Sequence, residues 1–254
     1  MPLLQLADCT VRFGGLTAVN GLSLSIMPGE LVGLIGPNGA GKTTVFNAVT
    51  GVYRPQGGDI RFQGHSLLGR KPYQVCQAGI ARTFQNIRLF GNFSVLDNVR
   101  AAARGLSHYT FADAVLRTEV YARTERQLIY QSLRLLRTFG LQRQRDQLAC
   151  NLPYGDQRRL EIARAVATQP SLILLDEPAA GMNPQETQAL MALIQRLRSE
   201  FGLTILLIEH DMRVVMGICE RVVVLDYGVA IAQGTPEQIR SHPAVIEAYL
   251  GEAE

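Results

Sequence analysis

The chain has 254 residues, 47% hydrophobic and 19% charged, with a formal net charge of +3. Such a chain buries a sizeable core, is not disordered wholesale, and carries too mild a charge to argue for nucleic acid. It contains no apolar run of the roughly 18–20 residues that span a bilayer, and its start, MPLLQLADCT, does not read as a signal peptide. Cys9, Cys76, Cys150 and Cys219 are scattered, with no CxxC pair and no companion histidines at metal spacing, so reduced cytosolic thiols are expected. Any membrane role then comes through a partner.

In chain order, residues 1–30 read as antiparallel strands, with Leu22, Leu24 and Ile26 alternating with Ser23 and Ser25. Phe13 precedes Gly14-Gly15 at a strand tip, where it either stacks on an adenine ring or belongs to the core. Pro28-Gly29 turns into a short apolar strand, Leu31-Val32-Gly33-Leu34-Ile35. Residues 36–44, GPNGAGKTT, follow and match G-x-x-x-x-G-K-[ST], with Val45, Phe46, Ala48 and Val49 giving the next helix an apolar side. Strand, glycine loop and helix start converge backbone N–H groups on one point, where the helix dipole also favours an anion. Gly36, Pro37, Asn38, Gly39, Ala40, Gly41, Lys42, Thr43 and Thr44 are therefore the predicted phosphate cradle. Of the 25 Lys plus Arg, only Lys42 and Lys71 are lysines. A slim point charge thus stands where it must reach between β- and γ-phosphates, and the Thr43 hydroxyl suits Mg²⁺.

Beyond the loop, residues 56–59 are expected to turn, 60–62 to form a short strand, and 79–84 another that ends at Gln85. Ser94 caps a helix faced by Val95, Leu96 and Val99. The stretch 111–139 is helical in composition; its Arg117, Arg123, Arg126, Arg134 and Arg137 read as a solvated face rather than a nucleic-acid site. A helix is expected over 160–168, then a buried strand, 172–175, ending in Asp176-Glu177-Pro178. Asn183 caps a helix with Pro184 in its first turn and Leu190, Leu193, Ile194 and Leu197 on its inner face. The apolar run 203–208 ends in Glu209-His210-Asp211, residues 222–232 form a hairpin, and Thr235, Pro236 and Gln238 open a C-terminal helix. Strand–helix alternation interrupted by a helical block predicts an α/β fold: a parallel-sheet P-loop ATPase core with an antiparallel β subdomain and a helical insert.

Open α/β sheets bind ligands at the carboxyl ends of their strands. Asp176 ends one such strand and is placed to hold Mg²⁺ through water, while Glu177 beside it polarises an attacking water. His210 ends a neighbouring strand and is expected to contact the γ-phosphate. With the phosphate loop, these residues point to nucleoside triphosphate hydrolysis.

The whole chain resembles the ATP-binding subunits of ABC transporters. Residues 36–44 match the Walker A loop, 172–177 the Walker B strand, Gln85 the Q-loop and His210 the switch histidine; LPYGDQ at 152–157, followed by RRLEIAR, matches the signature segment. The resemblance implies one ATP-binding domain over 1–254, with a helical subdomain at roughly 88–165. It also implies ATP and Mg²⁺ as cofactors, Mg²⁺ held by Thr43, Gln85 and Asp176, and catalysis by Glu177 and His210 with Lys42. ATP is then sandwiched between two subunits, homo- or heterodimeric, and each signature segment, here with Gly155 and Gln157, completes the partner's site. Two departures stand out: Pro153 occupies the position where the family signature carries a Ser, and Asn183 replaces the usual Asp of the D-loop.

The runs TFQN at 83–86, EPAAGMNP at 177–184, IEHDM at 208–212 and GTPE at 234–237 resemble the importers of branched-chain amino acids. That resemblance implies membrane permeases, an external binding protein and a peripheral position on the cytoplasmic face of the inner membrane. Lipopolysaccharide-export ATPases are the alternative within the family. Outside transport the alternatives are an ABC-type ATPase acting on nucleic acid, which neither a coiled-coil insert nor a dense basic cluster supports, and a purely regulatory ATP-binding module, which Pro153 leaves open.

Overall fold

The computed structural model describes residues 1–106 and 109–250, and the chain divides into two compact units, the first residues 1–85 with 171–254 and the second residues 86–170. In the first unit, β1 (Leu4–Phe13) and β2 (Leu16–Ile26) form the expected antiparallel pair, with Leu22, Leu24 and Ile26 buried and Ser23 and Ser25 exposed. β3 (Leu31–Ile35) is buried at every position and leads through the glycine loop into α1 (Lys42–Val49). β4 (Gly57–Phe62) pairs antiparallel with β1, and β5 (His65–Ser66) with β4.

The turn expected at 56–59 is therefore corrected. Gly57 pairs with Thr10 and Asp59 with Ala7, across an irregularity in β1. Sheet pairing and a bulge override the local turn chemistry of Gly-Gly-Asp. α2 (Pro72–Gln77) and β6 (Ile80–Arg82) follow, and β6 is shorter than the expected 79–84.

The second unit is helical. Ser94 accepts the Asp97 N–H and caps α3 (Val95–Ala103) as expected. Residues 111–139 are two helices rather than one, α4 (Phe111–Leu116) and α5 (Glu119–Thr138). Arg117 closes α4 in the left-handed region at φ +48°, and Thr118 caps α5 by accepting the Tyr121 N–H. A local side-chain cap thus stops what composition alone continues. Val115, Leu116 and Val120 are consequently exposed, while Leu128, Leu135 and Leu136 are buried. α6 (Tyr154–Ala167) begins well before the expected residue 160, with Pro153 as its N-cap.

Back in the first unit come β7 (Leu172–Asp176), α7 (Pro184–Phe201), β8 (Thr204–Ile208), α8 (Met212–Ile218), β9 (Arg221–Asp226) and β10 (Val229–Gly234). Asn183 and Glu186 form a reciprocal capping box at α7. The expected C-terminal helix is two short ones, α9 (Pro236–Arg240) and α10 (Pro243–Leu250). Pro243 has no N–H with which to continue α9.

The strands form a four-stranded sheet, β2-β1-β4-β5, and a six-stranded sheet, β10-β9-β3-β8-β7-β6. In the larger sheet only β10 is antiparallel to its neighbour. Leu34 pairs with Ile208 and Ile208 with Asp176, so β3, β8 and β7 end along one edge. This alignment of three strand ends, far apart in sequence, positions the site. Phe46 of α1 packs among Leu34, Leu174 and Leu206 in the core between the elements.

Candidate functional site

The glycine loop leaves β3 and wraps back to α1. Gly36 has φ +148°, and a Cβ there would overlap the Leu225 carbonyl oxygen; Gly41 has φ +99°, and a Cβ there would overlap the Ala18 carbonyl oxygen. Both positions thus demand glycine for space as well as backbone conformation. Gly41 is also the N-cap of α1 and makes no side-chain cap hydrogen bond, so the helix start is not closed off by its own side chains. Lys42 is buried, and its Nζ donates to the Gly36 and Pro37 carbonyls at 2.6 and 2.7 Å. Pro37 and Ala40 are buried, Asn38, Gly39 and Thr43 exposed, and Thr44 half-buried. The loop is thus buried at its base and open along its rim.

At the end of β7, Asp176 and Glu177 diverge. Asp176 turns inward and is ion-paired with Arg82, Oδ2 to Nη2 at 2.9 Å, with both side chains under one-tenth exposed. Its backbone N–H reaches the Thr83 hydroxyl at 3.3 Å. Glu177 sits in the left-handed region at φ +45°, a sparsely populated conformation for a side chain of its size. Its N–H donates to the Ile208 carbonyl at 2.9 Å. Gln85 Nε2 donates to Glu177 Oε2 at 3.0 Å, and His210 Nδ1 lies 3.7 Å from the same oxygen. Gln85, Glu177 and His210 therefore meet although they come from three separate strand ends.

His210 is largely exposed, so its ring faces outward beside Glu177. Asp211 caps α8, and the Arg213 side chain, followed by the Arg213 N–H, holds its carboxyl below the usual range against a smaller cost of burial. Glu209 is buried, and desolvation pushes its carboxyl above the usual range despite the backbone amides that face it, Ala179 first.

Phe13 is 43% exposed and meets Tyr53 edge-on at 4.9 Å between ring centroids. It is a surface aromatic rather than core, which removes one of its two expected readings. In the second unit, Gln157 Nε2 donates to the Leu152 carbonyl at 2.8 Å, tying it to the loop before its helix. Gly155 is buried in the first turn of α6, and Asp156 is ion-paired with Arg159. Pro153 still accepts the Asp156 and Gln157 N–H groups through its carbonyl, at 3.0 and 2.9 Å. Arg158 is fully buried and holds the helix start through Glu161, at 3.0 Å, and the Tyr154 hydroxyl, at 2.9 Å.

Two residues of the site escape sequence reasoning. Arg82 joins Asp176 to α1, donating to Asn47 Oδ1 at 2.6 Å, while its guanidinium lies over the Phe46 and Phe84 rings at 5.5 and 5.1 Å. A lone charge in the apolar run Ile80-Ala81-Arg82 was the available signal. Glu209 gave none, because a carboxylate just past a strand reads as solvated.

The donor set fits Mg²⁺: a threonine hydroxyl, a carboxylate and an amide carbonyl are hard oxygen ligands. A metal role for Gln85 uses its carbonyl oxygen, the opposite end of the amide from the nitrogen that meets Glu177.

Comparison with known proteins agrees with this geometry. Residues 19–180 match the ABC transporter family, and residues 231–254 match the branched-chain amino acid ATP-binding cassette transporter family. The chain is 47% identical over 252 residues to the high-affinity branched-chain amino acid transport ATP-binding protein BraF of Pseudomonas aeruginosa, covering 99% of each chain. It is 48% identical over 252 residues to LivG of Escherichia coli K12, a protein described in the same words, again covering 99% of each. Among solved structures it is similar to the ADP conformation of an ATP-binding cassette of an ABC transporter, with TM-score 0.86, 28% identity and 99% of each chain covered. The lipopolysaccharide-export and nucleic-acid alternatives are not favoured by these relatives. A glycine loop between strand and helix, a split carboxylate pair and family likeness over essentially its whole length together make this chain an ATP-binding, ATP-hydrolysing member of the ABC transporter family.

Proposed function

We propose that this chain is one of the ATPase subunits driving a membrane importer of branched-chain or other hydrophobic amino acids. The observation that carries the cargo is the end-to-end likeness to BraF and LivG, extended by the C-terminal match at 231–254. The chain acts as one ATP-binding domain with its helical part at roughly 88–165, beneath permease subunits and beside a second ATPase subunit, homo- or heterodimeric. An external binding protein delivers the cargo. Its place is peripheral, on the cytoplasmic face of the inner membrane; among the described residues no helix is long and apolar enough to cross a membrane.

Within the site, Glu177 polarises the attacking water. Support comes from its half-buried strand-end position, the Gln85 amide that holds its carboxylate at 3.0 Å, and His210 close beside it. His210 serves the γ-phosphate. Lys42 exchanges the Gly36 and Pro37 carbonyls for phosphate oxygens, a small movement of Nζ, and Gly36, Pro37, Asn38, Gly39, Ala40, Gly41, Thr43 and Thr44 supply the cradle. Phe13 offers an exposed ring to the adenine. Thr43, Gln85 and Asp176 would hold Mg²⁺, which when bound neutralises phosphate charge. Gly155 and Gln157 complete the partner's site.

Glu177→Gln tests the chemistry: ATP binding is retained and most hydrolysis is lost. Unchanged steady-state ATPase in the assembled complex removes Glu177 as the water-polarising group. Purification from detergent-solubilised membranes tests the assembly, with co-purifying permeases expected and nucleic acid in their place refuting it. Uptake of labelled leucine, isoleucine and valine by cells lacking this chain tests the cargo; undiminished uptake of all three refutes it.

A further inference from the structure

We propose that Glu209 is a positioning residue for hydrolysis, acting on Glu177 through the backbone of the segment that follows it. The proposal rests on Glu177 being the water-polarising group. β7 and β8 run in register as far as Asp176 beside Ile208, and one further rung joins the Glu177 N–H to the Ile208 carbonyl at 2.9 Å. At Glu177 the backbone enters the left-handed region, which ends extended pairing. The Ala179 N–H is then received by a side chain, Glu209 Oε1, at 2.8 Å. Glu209 thus extends the β7–β8 ladder past the point where main chain supplies it, and clamps both sides of the kink that aims Glu177.

Its surroundings argue against a solvated strand-end charge. Glu209 is 1% exposed, and its second oxygen, Oε2, has no hydrogen-bond partner among the described residues. A buried acceptor left half-satisfied is costly and needs a reason. The groups that face it are the amides of Ala179, His210 and Asp211, the His210 ring and the Cys219 thiol. Burial, and then the Glu209 charge, push that thiol up to about 12. Since His210 is the next residue in the chain, one carboxylate sets the spacing between the segment carrying Glu177 and the one carrying His210.

Glu209→Gln and Glu209→Met test this in the full chain. The two side chains are uncharged and similar in length, but only Gln keeps an oxygen for the Ala179 N–H. Glu209→Asp keeps the charge and retracts the acceptor. Small misplacements of a catalytic group cost up to about a hundredfold, so kcat in E209Q should exceed that in E209M and E209D by about tenfold. ATP affinity, measured by binding of labelled ATP, should stay within about twofold across all three, since the phosphate cradle is untouched. Equal kcat in E209Q and E209M, or a loss of ATP affinity that parallels the loss of kcat, overturns the proposal. If E209M does not fold, E209D against E209Q makes the same decision. An active E177Q defeats the underlying reading and this proposal with it; an inactive E177Q with E209M and E209D as fast as E209Q defeats the positioning role alone.

Discussion

Arg82→Met should destabilise the protein by about 3–5 kcal/mol, the cost of breaking a buried ion pair by removing one partner. The magnitude follows from the exposure of the pair: Arg82 and Asp176 side chains are 8% and 5% exposed, 2.9 Å apart. Solvent screening therefore gives little relief. Met keeps an unbranched apolar side chain in the site, and what goes is the guanidinium that pairs with Asp176 and lies over the Phe46 and Phe84 rings. The lost hydrogen bond to Asn47 Oδ1 adds about 1 kcal/mol, favouring the upper part of the range. Guanidinium unfolding of each variant measures the cost, provided the slope of the transition is unchanged. The cycle completed with Asp176→Asn then isolates the pair: with no carboxylate to strand, removing Arg82 costs much less, and the coupling should reach about 2–3 kcal/mol. A cost for Arg82→Met below about 1 kcal/mol, or additive single mutants, would show that the pair is screened and the burial argument wrong.

Gly36→Ala forces a Cβ into the Leu225 carbonyl at φ +148°; ATP affinity should fall by about tenfold or more with about 1–3 kcal/mol of stability lost, and undiminished affinity by calorimetry would contradict the cradle geometry. At Glu30, burial alone would raise the carboxyl, but hydrogen bonds from Arg221, at 2.6 and 2.9 Å, and from the Met27 N–H outweigh it and hold it below 4.5. A carboxyl lowered by folding adds stability that is fully present above about pH 4.5 and lost as pH falls through the lower folded value. Glu30→Gln should therefore be less stable at pH 7 and lose stability less steeply below pH 4.5; parallel stability curves for the two proteins would sink that reasoning. Pro153→Ser should speed hydrolysis or strengthen ATP-driven dimerisation if a hydroxyl at the signature segment matters, and no change in either would show that another group serves.

Much of the fold was legible because its signals are local. The loop at 36–44 carries its own strand, glycines and helix start, and the alternation of Leu22, Leu24 and Ile26 marks one buried face of β2. The same locality explains the errors. Gly57 and Asp59 look like a turn until β1 pairs with them, and the apolar residues of 111–120 look like one helix face until Arg117 adopts a left-handed backbone and Thr118 caps α5.

The candidate site divides along the same line. The amino-acid sequence by itself singled out the candidate residues for phosphate, metal and water chemistry, because a glycine loop or a strand-end carboxylate is defined by neighbours a few positions away. Tertiary structure alone decided how they meet. Gln85 reaches Glu177 across 92 positions, Arg82 reaches Asp176 across 94, and Glu209 reaches the Ala179 amide across 30. Such contacts form only when parallel strands align in register and end at one edge, and local periodicity does not specify strand order. Whether a polar side chain at that edge faces solvent, as His210 does, or supports the site from within, as Arg82 and Glu209 do, depends on burial created by the packed sheet.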